Sequence, residues 1–205
     1  MQLDDVLSMD GLTVDILKKL SYQSKLLLSL SRRIKDFDKT DLLDDLFAGQ
    51  EWLDEQIWNF SLNIDYRIKS RQSIRLKYER YFETGRVNKT FNDVLGFRTI
   101  CDNYDNLRVL LNDGNFRIID ESNGKKVDNG YRGVHVYFQI DNNHYPIEIQ
   151  YNTAYDRYFN NWLHKYVYKK YPAEIGAYLR KKYEMGYINS ENKFKEVFKD
   201  VLSSC

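Results

Sequence analysis

The chain has 205 residues, 42% hydrophobic and 15% aromatic, and its 31 Lys and Arg against 30 Asp and Glu leave a net charge of +1. That is enough apolar material for one sizeable core, and it excludes a strongly basic nucleic-acid coat while leaving room for local basic patches. Two cysteines, Cys101 and Cys205, argue against a disulfide framework or a zinc site and suit a reducing cytoplasm. Apolar runs such as LLLSL are too short for a membrane span, and the opening MQLDDVLSMD is acidic, unlike a signal sequence, so a cytoplasmic protein with no membrane partner is expected.

In chain order, Val14, Ile16, Leu17, Leu20, Leu26, Leu27, Leu28, Leu30 and Ile34 recur at roughly helical spacing and predict a helix over Thr13 to Phe37. Its opposite face would carry Lys18, Lys19, Lys25, Arg32, Arg33 and Lys35. Thr40 and Asp41 are expected to cap a second helix that packs through to about Leu62, and a third spans about Ile64 to Phe82, ending near Gly85. The pattern then turns to strands at Val94 to Cys101, Phe116 to Asp120, Gly133 to Ile140 and Tyr145 to Tyr151, with a short helix over Tyr104 to Asn112. The last two strands alternate around Asp141-Asn142-Asn143, a hairpin signal. Helices return over Ala154 to Lys170, Ala173 to Tyr183 and Ser190 to Leu202, punctuated by Pro172 and Gly186. The expected fold class is α+β, a sheet flanked by helices and not a doubly wound parallel fold. It forms a single domain over 1–205, with an N-terminal helical segment 1–62, a catalytic core 63–170 and C-terminal helices 171–205.

Chemistry concentrates in the middle of the chain. On a helix, Lys69, Ser73 and Lys77 would be successive i,i+4 neighbours, a stripe able to hold a triphosphate, with Arg67 beside it. From charge pattern alone a solvated helix face explains the same residues. Asp93 precedes the apolar VLGF and Arg98. Glu148 stands alone in Ile-Glu-Ile, where a carboxylate is costly to bury unless it binds a metal, handles a proton or pairs with a cation such as Arg98. If Asp93 and Glu148 face each other, they could share a magnesium ion, a hard cation suited to carboxylates and phosphate oxygens. Glu148 could also take a proton from an attacking hydroxyl. The loop Asn129-Gly130-Tyr131 presents a ring on which a base could stack, with Arg132 and Lys126 near for phosphates and His135 on the next strand. Taken alone, NGY is a turn, His144 is hairpin surface, and His164 could brace the sheet or the loop. There is no P-loop and no Ser/His/Asp arrangement.

In order, RIKSRQSIRLK, DVLGFR, NGYRGVH, EIQYNT and WLHKY resemble the synthetase domain of the RelA/SpoT family, in particular its single-domain members, the small alarmone synthetases. The resemblance covers about Ile64 to Tyr168. It implies a mixed sheet of nucleotidyltransferase-like type and Mg2+-dependent transfer of the β,γ-pyrophosphate of ATP to a ribose 3′-hydroxyl. By motif, Asp93 and Glu148 would be the metal-binding and catalytic acids, with Glu148 the general base. Arg67, Lys69, Lys77 and Arg98 would hold ATP. Tyr131 would stack on the acceptor base, with Asn129, Arg132 and His135 about the acceptor.

The departures from the family pattern matter. Lys126-Val127 stands where guanosine-alarmone makers usually have Pro-Lys, Gly133 replaces a common serine, and Tyr151-Asn152-Thr153 replaces Ile-Arg-Thr. Those losses resemble the toxic branch of the family, some members of which modify the 3′-terminal adenosine of tRNA. They favour a tRNA acceptor end over GDP, GTP or an adenosine nucleotide. Lys18, Lys19, Lys25, Arg32 and Arg33 would then track the acceptor-stem backbone. A neutralising antitoxin is an expected partner under that reading, and homo-oligomers are known to the family. A catalytically dead nucleotide-binding module and an ordinary nucleotidyltransferase are the competing functions. The two intact acids speak against the first, and the absence of a Gly-Ser pair followed by close aspartates speaks against the second.

Overall fold

The computed structural model describes Leu7 and residues 11–203; Cys205 and, Leu7 apart, the acidic opening stretch lie outside the described residues. Among the described residues five strands, β1 (Asp65–Ile68), β2 (Leu95–Ile100), β3 (Phe116–Asp120), β4 (Val134–Phe138) and β5 (Ile147–Asn152), form one sheet ordered β1-β2-β5-β4-β3. The sheet is mixed and flanked by helices, an α+β architecture. Strand alternation sets its two faces: Leu95 and Phe97, Val134 and Val136, and Ile147 and Ile149 are buried, while Gly96, Arg98, His135 and Glu148 point the other way. No described helix is long and apolar enough to cross a membrane.

The helices are α1 (Val14–Lys19), α2 (Lys39–Gln56), α3 (Arg71–Tyr81), α4 (Val87–Thr90), α5 (Ala154–Trp162), α6 (Ala173–Glu184) and α7 (Glu191–Ser203), with a π-helical turn over Leu163–Val167. By internal packing the chain divides into two units: one built from residues up to 99, 105–118 and 135–150, the other from 100–104, 119–134 and 151 onward. In the first unit Leu42, Leu46, Ile74, Phe91, Phe97, Val136 and Phe138 are essentially fully buried. In the second, Phe159, Leu163, Leu179, Tyr183, Phe194 and Phe198 form the core, with Phe159 and Phe194 packed edge-to-face at 5.6 Å.

Several helices are shorter than their sequence pattern. The first ends at Lys19, because residues 21–33 take their backbone partners from elsewhere in the first unit. Ser24 and Leu30 N–H groups donate to Asn143 and Asn142 carbonyls at 2.8 Å, and Tyr145 N–H donates to the Tyr22 carbonyl at 3.1 Å. Leu27 is consequently fully exposed while Leu30 is fully buried, an outcome no continuous amphipathic helix gives. Lys18 and Lys19 therefore sit on the last turn of α1, with Lys19 paired to Asp15 at 2.7 Å; Lys25, Arg32 and Arg33 lie on irregular chain, so the five do not share a helical stripe. Asp38, not Thr40 or Asp41, caps α2, accepting from both of their N–H groups, and that helix stops at Gln56, leaving Trp58 exposed. The third expected helix splits. Residues 65–68 pair antiparallel with β2, and Ser70, extended and accepting from Ser73 N–H, starts α3 afresh. The expected helix at 104–112 is a 3₁₀ segment over Asp105–Asn112.

Asp45, on α2 and 6% exposed, ties the irregular segment down by accepting from Ser24 Oγ (2.7 Å), Lys25 N–H (2.8 Å) and Tyr145 Oη (2.9 Å). Asp45→Ala orphans the buried Tyr145 hydroxyl and the other two donors, so a loss of about 2–4 kcal/mol is expected in chemical denaturation. A midpoint equal to wild type would show that these bonds do not hold the segment.

Candidate active site

β1 enters the sheet at its edge, and its register sets Arg67 opposite Gly96. The chain then leaves the strand, so Lys69 is not on a helix at all: it lies in the β1–α3 connection, 8% exposed, its N–H bonded to the Val94 carbonyl at 2.8 Å. Its ammonium meets Asp93 Oδ2 at 2.5 Å. Lys77, half-buried on α3, reaches the other carboxylate oxygen at 2.9 Å and also donates to the Thr90 carbonyl at 2.9 Å. Two lysines from different elements thus converge on one carboxylate. Burial pushes the Lys69 ammonium below its ordinary range against the pull of Asp93, with Lys77 and Arg67 repelling it further. Ser73, expected in the same stripe, accepts a hydrogen bond from Ser70 Oγ at 3.0 Å.

Glu148 lies on β5, the central strand. Its Oε1 accepts from Tyr137 Oη at 3.1 Å and meets His135 Nδ1 at 2.9 Å, both on the neighbouring β4. An ionised carboxylate only accepts, so His135 carries its proton on Nδ1 in this pairing. The other oxygen, Oε2, lies over Gly96, 3.5 Å from where a Cβ would stand. Glycine at that position leaves the space above Oε2 open. Arg67, Lys69, Asp93, Gly96, Arg98 and Glu148 line one small pocket on this face. The structure therefore brings together Asp93, Glu148, Arg67, Lys69 and Arg98 of the expected set, with Lys77 bound to Asp93 and His135 to Glu148.

Tyr137 was invisible as a site residue, because the run Val-His-Val-Tyr-Phe reads as core. Its hydroxyl is pushed far above its ordinary pKa by burial and by Glu148, so it acts as a fixed hydrogen-bond donor. Arg117 on β3 covers its ring at 4.2 Å.

Asp93 and Glu148 are the residues of this pocket whose chemistry suits a magnesium ion, although both Asp93 oxygens here take lysine ammoniums. The two carboxylates are hard oxygen donors lining one pocket. Among the described residues no group of three or more His, Cys, Asp and Glu is placed to hold a metal ion.

The expected acceptor loop belongs to the second unit. Asn129 Oδ1 accepts from Tyr131 N–H at 3.2 Å, and Gly130 takes φ +84°, a left-handed conformation that favours glycine. The loop lies flush on α6: a Cβ added at Gly176 would stand 2.1 Å from the Asn129 carbonyl oxygen. Arg180, 1% exposed, donates from Nε to the Gly130 carbonyl at 2.7 Å, and to Asp156 at 2.9 Å and Asn160 at 3.1 Å. Arg132 is engaged by Asp128 through two bonds of 2.8 and 3.0 Å, which hold the Asp128 carboxyl below its usual range. Lys125 stands over the Tyr131 ring at 5.1 Å. His164 sits exposed on the π-helical turn and stacks on Tyr168 at 5.9 Å. The brace of the loop is Arg180. Its sequence signal was its place in the apolar stripe Gly176, Leu179, Arg180, Tyr183 of an amphipathic helix.

Comparison with known proteins gives one family and several solved structures that this chain resembles. The family model described as "Region found in RelA / SpoT proteins" matches residues 66–173, more than half of the chain. No curated protein sequence matches. Among solved structures, small alarmone synthetase 2 from Bacillus subtilis is 21% identical, with a TM-score of 0.45, over 82% of this chain and 97% of its own. Small alarmone synthetase 1 from the same organism, bound to its product pppGpp, is 21% identical with a TM-score of 0.43, over 69% and 77%. A GTP pyrophosphokinase family protein from Streptococcus pneumoniae is 19% identical with a TM-score of 0.40, over 79% and 90%. The family match makes this chain a member of the RelA/SpoT family, a pyrophosphokinase of that type.

Proposed function

We propose that the chain transfers the β,γ-pyrophosphate of ATP to the ribose 3′-hydroxyl of a guanosine nucleotide, GDP or GTP. The observation that carries pyrophosphate transfer is the pocket in which Asp93 and Glu148 meet Arg67, Lys69 and Arg98; the guanosine acceptor is the family's usual one. Four cations, Arg67, Lys69, Lys77 and Arg98, surround two carboxylates, a net positive cluster suited to a triphosphate. In this reading the lysines orient the ATP phosphates and Asp93 holds both lysines in place. Glu148 Oε2 takes the proton of the 3′-hydroxyl as its oxygen bonds to the β-phosphorus, and the bond from that phosphorus to the α,β-bridging oxygen breaks, releasing AMP. Positioning and charge neutralisation carry such a transfer, so no covalent nucleophile is needed. Asp93 and Glu148 would be the residues to hold a magnesium ion, which would supply charge neutralisation for the transfer.

The tRNA acceptor end is the second reading. It is favoured by the loop's neutralised cations, since Arg132 is held by Asp128 and Lys125 pairs with Glu121 at 3.4 Å. Its other expected support, the N-terminal basic residues, does not take the form of one helical stripe, since Lys25, Arg32 and Arg33 lie on irregular chain. A transfer assay with γ-labelled ATP and magnesium, offering GDP, GTP or deacylated tRNA, decides between them. Label on the guanosine nucleotides is expected; label on tRNA alone would overturn this reading and call for a search for a neutralising partner.

A further inference from the structure

At the far end of the same sheet face, within the first unit, lies a second cavity of about 250 Å³ that none of the expected site residues line. Its walls include Asn88, Lys89, Asn115, Arg117, Tyr137 and Gln139. Two cations thus face one space. Among the described residues neither Lys89 nor Arg117 forms an ion pair, and Arg117 instead lies over the Tyr137 ring at 4.2 Å. The acids nearby are otherwise engaged. Asp141, which also lines the cavity, accepts from His144 Nδ1 at 2.8 Å and Asn143 N–H at 2.7 Å on the same oxygen, Oδ1, and Glu148 forms no ion pair with Arg117 among the described residues. Burial pushes both cations below their ordinary pKa, and for Lys89 the charge of Arg117 adds to it. Asn88, 6% exposed, makes only long bonds of 3.4 and 3.5 Å from its Nδ2, and its Oδ1 has no partner among the described residues. That amide is therefore not locked in place. A guanidinium, an ammonium and neutral amides around a pocket whose one carboxylate, Asp141, is tied to His144 and Asn143 through Oδ1 are a donor set for a phosphate group.

Strand order says whose phosphate it is. In the order β1-β2-β5-β4-β3, Arg67 and Arg117 stand on strands two steps away from Glu148 in opposite directions, roughly 10 Å each way at the usual strand spacing. The donor cations occupy the β1 and β2 side. An acceptor whose 3′-oxygen meets both Glu148 and the donor phosphorus must extend away from the donor, toward β4 and β3. Resting on the proposed function above, we infer that the Lys89–Arg117 cavity binds a 5′-phosphate of the acceptor nucleotide. These two residues would then supply the cations that the loop at Lys126-Val127 lacks.

The test uses the full chain, with a non-hydrolysable ATP analogue and magnesium filling the donor cleft. Inorganic pyrophosphate is titrated calorimetrically into wild type and Lys89→Glu, and KM values for GDP and ATP are measured for Lys89→Ala. Loss of one charge-assisted bond is expected to weaken pyrophosphate binding and raise the GDP KM by about tenfold or more, with the ATP KM and melting temperature unchanged. Pyrophosphate binding lost while both KM values hold would mean that a separate anion occupies the cavity, overturning the acceptor assignment. Pyrophosphate binding equal in the two proteins would remove the phosphate site altogether. If wild type transfers nothing to GDP, the guanosine-nucleotide reading fails by itself, and the acceptor assignment falls with it. The pyrophosphate titration would still decide whether the cavity binds a phosphate group.

Discussion

Glu148→Gln is expected to lower turnover by about 10²–10⁴-fold, the range for loss of a general base, while the melting temperature stays at that of wild type. The physical case lies in which oxygen does what. Oε1 is held by Tyr137 and His135, and a glutamine carbonyl accepts those same two bonds, so the side chain keeps its place. The group over Gly96 becomes an amide, which cannot take up a proton. Affinity for ATP, measured by calorimetry on the variant, should change by much less than turnover, since the cations that would hold it are untouched. Turnover near wild type would remove Glu148 from the mechanism. A loss of turnover matched by an equal loss of ATP affinity would make it a binding group instead.

The sheet and its acids were legible because alternation is local information. Ile147-Glu148-Ile149 announces a carboxylate facing away from the core, and Phe116 to Asp120 was readable to the residue. The helices misled for a related reason. Leu20 to Leu30 matches helical spacing, yet tertiary partners for the backbone of Ser24 and Leu30 outweigh an unaided helix there. Lys69 reads as one member of a helical triplet, but Ser70, four residues before Ile74, caps α3, so Lys69 belongs to a buried connection and Ser73 and Lys77 alone of the three are helical. Tyr137 and Arg117 were illegible for a different cause. Their roles depend on β4 lying between β5 and β3, and sheet order cannot be read from strand patterns alone.

Arg180→Ala should be the most destabilising single change in the second unit, by about 3–5 kcal/mol, because it leaves the buried carboxylate of Asp156 without its cation. Asp156 keeps bonds from Tyr104 Oη at 2.7 Å and Thr153 Oγ1 at 2.8 Å, but neither carries a charge. The guanidinium also packs on the Phe159 ring at 4.2 Å, so the substitution opens space in the aromatic core. Arg180→Lys separates the contributions. A lysine keeps the positive charge for Asp156, while its single ammonium cannot reproduce the fork that joins Asp156, Asn160 and the Gly130 carbonyl. It should recover part of the stability yet leave the Asn129-Gly130-Tyr131 loop without its anchor. Faster amide hydrogen exchange at Gly130 and Tyr131 than in wild type is the expected signature of that variant. An Arg180→Ala protein melting at the wild-type temperature would show that Asp156 is satisfied without the arginine. An Arg180→Lys protein with wild-type exchange there would show that the loop holds its shape on the Gly176 contact alone.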